Sequence, residues 1–173
     1  MMMLFILPLA FFVMGFSTFG PDIGDMHRND SYNLPMPRGN SFHVCKRDCI
    51  NGEKFKVSYS GKDIAFLKEL MHSNSAKRER ENIARSVTWM LRRAGETGGS
   101  CTGFALAVTS HLLVLQANGL LKYHTVHRPI GRIVFPPHWA GAVQSRAGAV
   151  WAVDAYLARP RVLIQPESRW YRR

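Results

Sequence analysis

Apolar and polar positions change rhythm several times along the chain, and each change marks an element. From Met1 to Phe16 the residues are apolar almost without a break, after which Ser17–Asp25 turns to helix breakers and carboxylates. Between Pro21 and Asn51, Asn, Pro, Gly, Asp and Ser interrupt every pattern, which predicts an irregular lead-in wrapped on the domain. Strict alternation in "KFKVSYSG" (Lys54–Gly61) predicts a short edge strand. Helical spacing follows, with Ser60 as a cap and Ile64, Leu67, Leu70 and Met71 on one face. A longer helix is expected over Ser73–Gly99, with Ile83, Val87, Met90 and Leu91 facing inward. Its Arg and Glu run is read as a solvated face, and Gly95 as its stop.

From Cys101 the chain is apolar on nearly every side until Asn118-Gly119, the pattern of a buried central helix with a glycine C-terminus. The texture then becomes β. "LLKYHTVHR", "GRIVF", "HWAGAVQS" and "AVWAVDAYL" are short, rich in Val, Trp, Tyr and Ile, and separated by Pro129-Ile130-Gly131, Pro136-Pro137 and Arg146-Ala147-Gly148 turns. Helices first and an antiparallel meander afterwards predict an α+β domain over 60–173, preceded by the lead-in at 21–59.

Composition narrows this further. A chain of 173 residues with 46% hydrophobic residues can bury one core without metals or many disulfides. Its net charge of +11 favours anionic partners, an anionic envelope surface among them. The basic clusters lack the interleaved aromatics of a single-strand platform, so no specific nucleic-acid partner is expected. The apolar stretch within residues 1–20 is shorter than the about 20 residues that span a bilayer. It therefore predicts a signal peptide and a periplasmic or secreted protein, with an uncleaved membrane anchor as the alternative. Export agrees with the cysteines: Cys45 and Cys49 are close enough to close a small disulfide loop, which leaves Cys101 alone. A metal site on that pair with His43 or His27 lacks a second ligand couple, and nothing points to a metal or organic cofactor.

Cys101 is either a buried packing residue or a nucleophile. At the first turn of a buried helix it meets the positive end of the macrodipole, which acidifies a thiol. A thiolate enzyme also needs a base and a residue that orients the base. His138 opens one strand and Asp154 lies near the end of the next. A hairpin around Ser145–Gly148 would set the two within about two residues of register. An Asp in an apolar strand must find a partner, and His138 is the nearest. His124 and His127 remain rival bases, while His111, ten residues along the Cys101 helix, is read as structural. Trp139 and Trp151 are expected to wall the core or a substrate pocket. The Arg-rich tail after Arg159 is read as a last strand or arm on the surface.

The stretches "GGSCTGFALAV", "PPHWAGAV" and "VWAVDAYL" together resemble the transglutaminase-like branch of the papain-like cysteine enzymes, which includes bacterial protein deamidases and peptidases. The resemblance covers Ser75–Leu157 and departs from the branch after the Asp, where "DAYLARP" replaces a proline-containing turn. It implies a papain-like core with the cysteine helix packed on an antiparallel sheet. Cys101 would be nucleophile, His138 general base and acid, and Asp154 the residue that fixes the imidazole. The implied activity is an exported thiol amidohydrolase or acyltransferase on protein or peptide amides, working through a thioester and closer to a protein glutaminase or peptidase than to a cross-linking transglutaminase. The Cys101 backbone N–H is expected in the oxyanion hole, with the second donor left open. The reading from a different class is a non-catalytic basic secreted module that binds anionic envelope or nucleic-acid partners.

Overall fold

The computed structural model describes residues 39–45, 54–93, 101–132, 138–155 and 162–171. The leader over residues 1–20, the Cys45–Cys49 pairing, a metal site on that pair and the Gly95 helix stop lie outside the described residues.

The lead-in is not irregular throughout. Ser41–Cys45 forms strand β1, antiparallel to β2 (Lys54–Ser58), with Phe42 directly opposite Val57. Both side chains, and that of Tyr59, are buried in the main core, so the packed unit begins before residue 60. Helix α1 (Gly61–Leu70) starts at Ser60 with a reciprocal cap: the Ser60 hydroxyl accepts the Asp63 N–H, and the Asp63 carboxylate accepts the Ser60 N–H. Helix α2 (Ala76–Arg93) buries Ile83, Val87 and Met90. Helix α3 (Cys101–Ala117) is buried on most sides. Gly119, at φ +67°, ends it: its N–H donates to the Gln116 carbonyl and the Leu120 N–H to that of Leu115. That pairing satisfies the carbonyls a helix end would otherwise orphan.

Strands β3 (His124–Arg132), β4 (His138–Ser145), β5 (Val150–Asp154) and β6 (Leu163–Pro166) form an antiparallel sheet in chain order. The turn expected at Pro129-Ile130-Gly131 is a β-bulge inside one strand. His127 faces Ala142 and Ile130 faces Ala140, so Arg128 and Pro129 together oppose Gly141. A bulge is where a strand tolerates proline, because the extra residue makes no ladder bond.

The sheet is covered on both faces, and the alternation of its side chains decides what each face meets. Val143, Val153 and Ala155 join the main core with α3. Ala140, Ala142 and Ala152 join Ile130 and Trp170 on the other side. At Gly141 the helix and sheet approach so closely that a Cβ would lie 2.6 Å from Val108 Cγ1. The tail expected on the surface supplies β6 and then the short helix α4 (Glu167–Trp170), whose Trp170 is only 2% exposed. The architecture is α+β with antiparallel sheets, in agreement with the sequence pattern.

Candidate active site

Cys101 is the first residue of α3, so the positive end of a helix dipole lies at its sulfur. His138 is the first residue of β4 and Asp154 the last of β5. The pair Gly141–Val153 sets the register, which puts Asp154 opposite Ala140 and two residues from His138 on the same face. That diagonal spacing is within reach of long or aromatic side chains. His138 Nε2 lies 2.8 Å from Asp154 Oδ2, and both side chains are almost wholly buried. A carboxylate only accepts, so Nε2 carries the proton and Nδ1 is the ring nitrogen left for the thiol. The thiol and the imidazole are hydrogen-bonded.

Electrostatics then divide the charges. Burial alone would raise the Cys101 pKa. Hydrogen bonds from His138, the Trp139 N–H and the Thr102 side chain, together with the His138 charge, bring it below the ordinary value of 9.0. Burial would likewise lower His138, but the hydrogen bonds and charges of Asp154 and Cys101 push it up to about 9. Both shifts run in the direction that favours a thiolate beside an imidazolium.

A fourth residue completes the cluster and has no counterpart among the expected site residues. Trp170 Nε1–H donates to Asp154 Oδ2 at 3.1 Å, and its ring lies 5.7 Å from the His138 ring at an interplanar angle of 36°. Sequence reasoning missed it because the Arg-rich tail offers no periodicity that would predict burial. The available signal was a large aromatic standing among charges.

The remaining candidates sort by position. Trp139 borders the site through its N–H, while its ring lies flat over Gly131, where a Cβ would come within 1.7 Å of it. Trp151 is not brought to the thiol. It pairs with Val143, five residues along β4 from His138 and thus roughly 17 Å away. There it packs on the main core with the Arg80 guanidinium 3.7 Å above its ring. His111 is fully buried between the Tyr59 hydroxyl at 2.8 Å and the Ser86 hydroxyl at 3.2 Å, and burial drives its pKa down to about 3. It is a neutral core residue at working pH.

Of the rival bases, His127 hydrogen-bonds the Arg128 carbonyl. His124 is tied to Glu79, with its Nδ1 2.7 Å from the carboxylate. Glu79 corrects the reading of α2 as carrying only a solvated charge run. It is buried, and it also accepts the N–H groups of Lys122 and Tyr123 at 2.5 and 2.9 Å. Among the described residues, no group of three or more His, Cys, Asp or Glu could hold a metal ion, and no helix is long and apolar enough to cross a membrane. Comparison with known proteins finds no matching family model, no matching curated protein and no matching solved structure.

Proposed function

We propose that this protein is a thiol amidohydrolase or acyltransferase of the papain-like, transglutaminase-like kind, acting on protein or peptide amides. The observation that carries the reading is the continuous chain from the Cys101 sulfur through the His138 ring to Asp154, at the start of a buried helix. In the first half-reaction the Cys101 sulfur bonds to the amide carbonyl carbon and the C–N bond breaks. The proton on His138 goes to the leaving amine or ammonia, which leaves a thioester. In the second half-reaction His138 takes a proton from water as its oxygen attacks the thioester carbonyl. The acid is released, and the thiolate re-forms beside the protonated His138. A primary amine in place of water would give transfer instead. Hydrolysis is the reading we favour, because water is the acceptor at the highest concentration in an aqueous site.

Thiol reactivity tests the reading. Iodoacetamide at about pH 6 should label Cys101 much faster than an ordinary thiol, and His138→Ala should abolish the excess. Slow labelling equal to that of a free cysteine would refute the proposal in favour of a non-catalytic basic module. Incubation with glutamine-containing peptides, followed by ammonia release and by incorporation of a labelled primary amine, separates hydrolysis from transfer.

A further inference from the structure

Asp154 has more to do than face one histidine. Its Oδ2 sits 2.8 Å from His138 Nε2 and accepts the Trp170 indole N–H at 3.1 Å. A carboxylate that meets a single donor can rotate about its Cα–Cβ and Cβ–Cγ bonds. One whose oxygen is shared by two fixed donors is held in place. The second donor is itself rigid, since Trp170 is buried against Ile130, Ala140, Ala142 and Ala152 and follows directly on β6, which pairs with β5. Its ring also stands beside the His138 ring, tilted by 36° with the centroids 5.7 Å apart. The Asp154–His138 bond is almost wholly buried, where a low local dielectric strengthens the interaction.

We infer that Trp170 is a positioning residue of the site: its indole N–H fixes Asp154, and its ring fixes the His138 imidazole in line with the Cys101 sulfur. This rests on the thiol-enzyme reading given above. The role assigned to Trp170 runs through the carboxylate and the imidazole it meets. A packing role alone would make Trp170 matter for stability and leave the protonation of the sulfur untouched. The positioning role makes it set how easily the thiolate forms.

The test follows the iodoacetamide rate of the full chain against pH in the wild type, Trp170→Phe and Trp170→Leu, with Cys101→Ala as the label control and circular dichroism to check folding. Phe keeps a ring beside His138 and removes the donor; Leu removes both. The expected result is a rise of about one pH unit in the midpoint of thiolate formation for Trp170→Phe, read as a labelling rate at pH 6 on the order of tenfold lower. Trp170→Leu should shift it further. A wild-type protein with an acidic thiol and a Trp170→Phe midpoint unchanged within error would overturn the inference and leave the proposed function standing. An ordinary thiol in the wild type would overturn both. The wild-type protein gives a second readout that needs no variant. The Trp170 indole N–H resonance should move with pH along the titration of His138, and an indole resonance that stays flat through that range would also overturn the inference.

Discussion

The sulfur of Cys101 and the imidazole of His138 share a proton that can sit on either, and this has a thermodynamic signature. His138 is raised from 6.5 to about 9, so its contribution to stability is complete below pH 6.5 and is lost as pH rises through about 9. Cys101 is lowered from 9.0, so its contribution is present above 9.0 and is lost as pH falls through its folded value. Between these values the two slopes oppose each other, one falling and one rising with pH. The melting temperature of the wild type should therefore change less between pH 6.5 and 9 than that of a variant lacking the thiol. Cys101→Ala removes one slope and keeps the part of the other that Asp154 supplies, so its melting temperature should fall as pH rises, by about 2–4 °C per kcal/mol lost at this chain size. Calorimetry at several pH values checks both, and a variant as flat as the wild type would contradict the ion pair. At this scale the candidate site was legible because each residue stood out against its neighbours: a lone cysteine at a helix start, a histidine opening a strand, a carboxylate in an apolar run. Trp170 did not stand out, because nothing in "PESRWYRR" tells a buried indole from an exposed one.

Among the elements, the contact of α3 with β4 positions the site, since these two carry Cys101 and His138. It depends on a bare backbone at Gly141, whose missing Cβ would meet Val108 at 2.6 Å. Gly141→Ala should cost about 1–3 kcal/mol in urea denaturation. Val108→Ala added to it should recover part of that loss, a non-additive pair. The start of α2 is held to the start of β3 by Glu79. Replacing it with Ala would leave the N–H groups of Lys122 and Tyr123 and the His124 ring without their acceptor, at a cost of about 3–5 kcal/mol measured the same way. The helices and their faces could be read from spacing, and Ser60 caps α1 as its residue type implies. Glu79 could not be read, because a buried acid in "AKRERE" looks like its exposed neighbours until backbone donors from a distant strand reach it. The single β3 was hidden for a related reason: Pro-Ile-Gly serves a bulge as well as a turn, and only pairing with β4 decides which.

For the molecule as a whole, the proposed activity makes net charge a matter of how a substrate approaches. The chain carries +11, and Lys77, Arg78, Arg85 and Arg92 stand exposed along α2. Acidic peptide amides should be consumed faster than basic ones of the same length at low salt. The preference should collapse between roughly 10 mM and 1 M salt, as the screening length shrinks from about 30 to 3 Å. A preference that survives high salt would place selectivity in direct contacts instead. The contact between Trp170 and Asp154 has a consequence in time as well as in space. The ribosome delivers Cys101 well before Trp170, so a half-made chain carries the sulfur without the indole that steadies its partners. Under the proposed function, a chain still lacking β6 and α4 would therefore form the thiolate less readily than the finished one.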